Sequence, residues 1–253
     1  MTGWEQVALV AAGLGAGLLT STVGVASLLS FPVLIALGIP PVVANASNTL
    51  GLIPASLGGS LGYRRELRGQ PGVTWVLVLT AAIGSVGGAV LLLALPSSVF
   101  ESIVPWLILF TCLLVGAQPW ISRWLRSRRH PDDTHPRTTL SPATTIFAGL
   151  TGVYGGYFGA GAGVMMMAVL SLGLDLDLRI VNALKTLALL AANVVAGLIF
   201  VFVADLDYTA VGLLAAGSVI GGYTGSHLGR ILPPTLLRIL VVLAGLVAAI
   251  TMF

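Results

Sequence analysis

Asn45-Ala-Ser-Asn48-Thr49-Leu50 and Asn182-Ala-Leu-Lys185-Thr186-Leu187 carry Asn, Ala, Thr and Leu in register, and Lys185 stands where the first copy has Asn48. Each hexapeptide lies in an apolar stretch and follows two glycines fourteen residues apart, Gly24 and Gly38 in the first copy, Gly159 and Gly173 in the second. A membrane unit present twice, with polar side chains at matching depths, is a recurrent way of building a central site.

Outward from the hexapeptides the matches continue. Val73-Thr-Trp75 answers to Leu206-Asp-Tyr208, Gly84 and Gly87-Gly88 to Gly217 and Gly221-Gly222, and Leu95-Pro96 to Leu232-Pro233. An ordered series of this kind is an internal repeat. It divides the chain into a first unit, 1–117, a linker, 118–142, and a second unit, 143–253.

Composition sets the class. Hydrophobic residues make up 57% of the 253 and charged residues only 8%, against about 25% charged in soluble domains; mean hydropathy is +1.01. A helix of roughly 20 apolar residues spans a bilayer. Eight such stretches recur, at roughly 5–37, 42–63, 74–95, 99–121, 143–173, 180–204, 208–230 and 235–253. The expected fold is an all-α polytopic membrane protein of two repeats with about four segments each. The net charge of +3 resides largely in two arginine-rich loops, a topological signal rather than a nucleic-acid surface. Cys112 is the lone cysteine, so it forms no intrachain disulfide and is expected to pack. Met1-Thr-Gly-Trp-Glu-Gln lacks the basic start of a signal peptide, so the first segment is expected to be retained.

Segments one and five are too long for ordinary spans, and glycine interrupts both, around Thr20–Gly24 and Gly155–Gly163. Broken helices survive in a bilayer only where protein or a cavity receives the freed backbone. Two readings stand: two short helices meeting at a glycine-rich tip, or one long tilted helix whose glycines serve close packing. Loop charge bears on this. Arg64, Arg65 and Arg68 occupy the loop 63–72, whereas the corresponding Ala204-Asp-Leu-Asp207 has no basic residue. The linker holds Arg123, Arg126, Arg128, Arg129 and Arg137, and both basic loops should be cytoplasmic. Opposite loop character at matching positions implies inverted halves. Segments one and five would then be hairpins, both termini would lie outside, and Arg179, Arg230 and Arg238 would fall at cytoplasmic ends.

With these features the chain resembles the TauE/SafE family of sulfite-exporter-like permeases. The resemblance rests on Gly24-Val-Ala-Ser-Leu-Leu-Ser-Phe-Pro32-Val-Leu, Val43-Ala-Asn-Ala-Ser-Asn-Thr49, Tyr63-Arg-Arg-Glu-Leu-Arg, Val73-Thr-Trp75 and Gly84-Ser-Val-Gly-Gly88. It covers nearly the whole chain apart from the linker. Family members often carry consecutive glycines where this chain has Val25, Ala26 and Ser27; Gly159-Ala-Gly-Ala-Gly163 keeps the pattern better. The resemblance implies movement of sulfite, sulfonates or related small organic anions across a prokaryotic cytoplasmic membrane, driven by an ion gradient.

The residues name a candidate site. Lys185 lies about five residues into its segment, where a lysine is costly. It either snorkels to the interface or supplies a fixed positive charge to an anion. Asn45, Asn48 and Thr49 share one helical face, as do Asn182, Lys185 and Thr186. Their donors suit an anion's oxygens, with interhelical hydrogen bonding as the competing account. Gly24, Gly159 and Gly161 at the tips would present backbone N–H groups and helix-dipole ends. Ser21, Thr22 and Tyr157 could add hydroxyls, as could Thr20 and Tyr154; for the tyrosines interfacial anchoring is the alternative.

The remaining polar residues point elsewhere. His227 lies near a segment end beside Arg230, and Met165-Met-Met167 reads as packing. His130, Asp132, Asp133 and His135 in the linker give only weak support to a metal site. No nucleotide-binding, zinc-protease or serine-nucleophile motif occurs, so the expectation is a transporter or an anion-selective channel rather than an enzyme, with no cofactor. Expected partners are a small anionic substrate and membrane lipids. A coupling proton or sodium ion and a homo-oligomer are left open.

Overall fold

The computed structural model describes residues 2–127, 137–228 and 234–252. Among these residues the regular structure is entirely helical. The first segment is split into α1 (Gly3–Thr22) and α2 (Ser27–Ala36), the second into α3 (Pro41–Gly51) and α4 (Ile53–Gly62). A single turn, α5 (Arg64–Leu67), leads to α6 (Pro71–Ala94) and α7 (Ser97–Ser127). In the second half, α8 (Pro142–Tyr157) and α9 (Ala162–Gly173) form the split segment, followed by α10 (Leu178–Val203), α11 (Tyr208–Leu228) and α12 (Pro234–Met252). Proline opens α3, α6 and α8, where its missing N–H costs nothing. The Ser141 hydroxyl caps α8 by accepting from Thr144 N–H. The linker's histidines and aspartates, Arg128, Arg129, Arg230 and Leu232-Pro233 lie outside the described residues.

Three helices, Pro71–Ala94, Ser97–Ile121 and Leu178–Val203, are long and apolar enough to cross a membrane. Only 33% of the α6 and α10 windows is buried. Their apolar side chains, Ile83 and Phe202 among them, therefore face outward, as lipid rather than water requires.

Both long segments break at glycine. Gly24 and Gly159 hold φ of 84° and 79°, left-handed values that a side chain would strain. After each break the chain turns back. Gly15 abuts the Leu29 side chain, so α2 returns along α1. Gly173 ends α9 against Thr144 in the first turn of α8, and a Cβ there would collide with the threonine hydroxyl. Just outside, Arg137 binds the Asp175 carboxylate through its backbone N–H and guanidinium at 3.0–3.1 Å. Segment five thus leaves on the side where it enters, and hairpins replace the long tilted helix. Three of the four repeated glycines have positive φ; Gly173 instead permits close approach.

Two glycine seams join the halves. Gly217 packs on the backbone of Val10 and Leu14, Gly221 on Leu14 and Leu18, and Gly225 on Leu18, so α11 runs parallel to α1. Gly84 packs on Gly149 and Val153, and Gly88 on Val153 and Tyr157, so α6 runs parallel to α8. Small residues let helix backbones touch in this way. The like contacts pair Gly84 with Gly221 and Gly88 with Gly225, one helical turn beyond the match read from sequence. Elsewhere α4 runs parallel to α11, through Gly58 on Val219 and Tyr223 and Gly62 on Ser226. It runs antiparallel to α10, since Gly59 meets Thr186 while Gly197 meets Leu50 and Ile53.

Candidate functional site

A helix that stops inside a bilayer leaves carbonyls without partners, and here polar side chains meet them. Asn45 Nδ2 donates to Tyr157 O at 2.9 Å, at the end of α8. Asn182 Nδ2 donates to Ser21 O at 3.0 Å, at the end of α1, and to the Tyr63 hydroxyl at 2.8 Å. The two matching asparagines thus cap carbonyls of the opposite half's hairpin. Tyr63 donates a further bond to Ser21 O at 3.2 Å. On the second tip, Thr111 and Tyr154 hydroxyls both reach Ala160 O, at 3.0 and 2.7 Å. Phe158 anchors that tip between Phe31 and Phe100, edge to face, with ring centroids 5.5 and 6.1 Å away.

The tips touch. A Cβ built on Gly24 would lie 2.9 Å from Gly163 Cα and 3.3 Å from Lys185 Nζ. Lys185 is 1% exposed, so it does not snorkel to the surface. Its ammonium makes one long contact, 3.4 Å, to Thr20 O. No carboxylate among the described residues pairs with it. The starts of α2 and α9 also lie at these tips and add the positive ends of two helix dipoles. The ends of α1 and α8 bring negative dipole ends to the same tips, so the formal positive charge here is that of Lys185.

A cavity of about 30 Å³ lies between the tips, room for roughly two waters. Thr20, Gly24, Ala26, Ser27, Thr49, Leu52 and Ser56 line it from the first half, and Gly155, Gly159, Ala162, Leu189 and Asn193 from the second. Counted from the matches Gly24/Gly159 and Thr49/Thr186, most of these fall in corresponding pairs: Thr20 with Gly155, Ser27 with Ala162, Leu52 with Leu189, and Ser56 with Asn193. The cavity therefore sits where the two halves mirror each other. Ser27 Oγ accepts from Asn48 Nδ2 at 3.0 Å, and Ser30 Oγ donates to Asn48 Oδ1 at 2.5 Å.

Of the residues singled out from sequence, Gly24, Thr49 and Gly159 line the cavity, and Lys185 reaches the backbone of Thr20, which also lines it. Asn48 hydrogen-bonds Ser27, which lines the cavity. Asn45 and Asn182 hold hairpin carbonyls. Thr49, Thr186 and Thr22 hydroxyls bond within their own helices, and Ser21 Oγ donates to Gly222 O on α11. Gly161 packs on Thr111. The Tyr157 ring packs on Phe100, and its hydroxyl finds no partner. Sequence reading missed Ser56 and Asn193, which stand seven residues beyond Thr49 and Thr186 on the same cavity-facing stripe. Continuing the repeat along that stripe would have found them. Cys112 and Met166 are buried as packing residues.

Comparison with known proteins finds relatives named as membrane transporters. The chain is 25% identical over 235 residues to a probable membrane transporter protein, ORF9, of Sinorhizobium sp, covering 93% of this chain and 87% of that protein. A probable membrane transporter protein of Haemophilus influenzae is 24% identical, with 93% and 89% covered. YdhB of Bacillus subtilis, another probable membrane transporter protein, is 23% identical, with 84% of each chain covered. No solved structure matches the chain. The family model described as Sulfite exporter TauE/SafE matches residues 9–252, nearly end to end, and the chain belongs to that family.

Proposed function

We propose that the chain is a secondary transporter that moves a small sulfur-containing anion, sulfite or a short sulfonate, across a prokaryotic cytoplasmic membrane by alternating access. The observation that carries this reading is Lys185: a buried lysine reaching Thr20 at the edge of a small cavity, where two glycine tips meet and no carboxylate among the described residues pairs with it. An unpaired buried charge is costly, and an anion entering the cavity would relieve it. Family membership and the transporter names of the relatives support the class; sulfite comes from the family description.

Alternating access would use inverted halves. Helix directions support this: α1 runs parallel to α11 and α4, α4 runs antiparallel to α10, and α8 starts at the same end as α10 because α9 returns beside Thr144. The matching hairpins then enter from opposite faces, and each tip reaches the polar cluster of the other half's following helix. Rocking of one half against the other would open the cavity to each side in turn. The small volume, room for about two waters, favours a carrier over an open channel.

The test is sulfite uptake into proteoliposomes. A carrier gives saturable, trans-stimulated uptake; unsaturable flux without trans-stimulation would point to a channel instead. For orientation, Leu206→Cys and Glu66→Cys, each in a Cys112→Ala background, should differ in labelling from outside the cell. Equal labelling would rule out the inverted arrangement.

A further inference from the structure

We propose that Ser56 and Asn193 form the uncharged half of the substrate site, hydrogen-bonding an oxyanion on its side away from Lys185 and selecting it over anions without directed acceptor oxygens. The inference rests on the reading of the cavity as the transport site. Ser56 is fully buried and its hydroxyl has no partner. A buried polar group left unpaired costs about 1–3 kcal/mol. Asn193 is part-buried, and its carboxamide makes no hydrogen bond among the described residues. Both line the same small cavity, at corresponding positions of the two halves.

The other polar neighbours are already engaged. Thr20 and Thr49 give their hydroxyl protons to carbonyls of their own helices. The open hydrogen-bond capacity therefore lies with Lys185, the Ser27 hydroxyl proton, Ser56 and Asn193. Lys185 neutralises charge and is indifferent to shape. The Asn193 amide donates in the plane of its carboxamide and the Ser56 hydroxyl from a fixed oxygen, and so they need acceptors placed apart on one ligand, as the oxygens of a pyramidal or tetrahedral oxyanion are. A site built to hydrogen-bond a ligand rejects analogues that cannot complete the bonds.

The experiment uses the full chain in proteoliposomes, with labelled sulfite as substrate and chloride as competitor, alongside thermal melting of the same variants with and without sulfite. Ser56→Ala removes the unpaired hydroxyl. It is expected to raise the melting temperature without ligand, to raise the sulfite KM about tenfold, as loss of one hydrogen bond to an ion predicts, and to let chloride compete better relative to sulfite. Asn193→Ala should weaken sulfite similarly, while the isosteric Asn193→Asp, which places a negative charge in the cavity, should abolish uptake. If Ser56→Ala and Asn193→Ala keep the wild-type KM and chloride selectivity while Lys185→Met loses uptake, the pair is structural and the inference fails alone. If Lys185→Met also transports sulfite normally, the cavity is not the transport site and the underlying reading fails with it.

Discussion

The two hairpin tips are built on one plan and held in different ways. The second tip is fastened mostly from the first half: Thr111 joins Tyr154 on Ala160 O, Phe31 and Phe100 flank Phe158, and Asn45 holds Tyr157 O. The first tip is held by hydrogen bonds: Asn182 and Lys185 of α10, in the opposite half, reach Ser21 O and Thr20 O, aided by Tyr63 of its own half. Their linings differ as well. Thr20 and Ser27 face the cavity from the first hairpin, where the second offers Gly155 and Ala162. Duplication thus supplies a symmetric frame, and substitution within it makes one side polar and the other bare backbone. The one lysine, at the position matching Asn48, gives that asymmetric space a charge.

The largest effect should come from the tip glycines. Gly24→Ala meets both a positive φ and the Gly163 backbone 2.9 Å away, whereas Gly159→Ala meets the φ and a looser contact of 3.1 Å to Gly155 O. The left-handed conformation alone costs about 1–2 kcal/mol. Melting in detergent should therefore rank Gly24→Ala below Gly159→Ala, with both below wild type; equal losses would mean that the tips do not press on each other. Next comes the capping of carbonyls. Asn182→Leu unpairs Ser21 O from one donor and should destabilise by about 1 kcal/mol, while disturbing transport more than stability because the first tip borders Lys185. Thr111→Val removes one of two donors to Ala160 O and should cost about 0.5–1 kcal/mol, with the sulfite KM unaltered. A large KM change there would erase the distinction between a fastened tip and a working one. The smallest effect belongs to Asp175→Asn. Its partner Arg137 has a side chain 61% exposed, so the loss should lie below about 1 kcal/mol and shrink with added salt.

Much of this was legible in sequence because the signals were local. Positive-φ glycines can be suspected wherever glycine interrupts an apolar run, and Gly24 and Gly159 are such places. A lysine within a hydrophobic segment likewise announces itself, and the segment ends agree with the helices within three residues except at α7, which runs to Ser127 rather than 121. The seam register was not legible. Glycines at 217, 221 and 225 recur every helical turn, so Gly84 can be matched to Gly217 or Gly221 with little change in sequence agreement, and only packing distinguishes them. The work of Asn45 and Asn182 was hidden for another reason: their partners lie 112 and 161 residues away along the chain, and no local pattern marks a side chain that caps a distant carbonyl. Ser56 carries no local mark, and packing places it on the cavity.

The central claim is that the Lys185 ammonium is the charge that receives the substrate. Sulfite counterflow in proteoliposomes tests it most directly, comparing wild type with Lys185→Met, which keeps the length and the apolar stem but not the charge. Wild type should exchange labelled internal for external sulfite with saturation, and Lys185→Met, reconstituted in equal amount and folded by melting, should show exchange at the level of empty vesicles. Exchange at the wild-type rate in Lys185→Met would contradict the account.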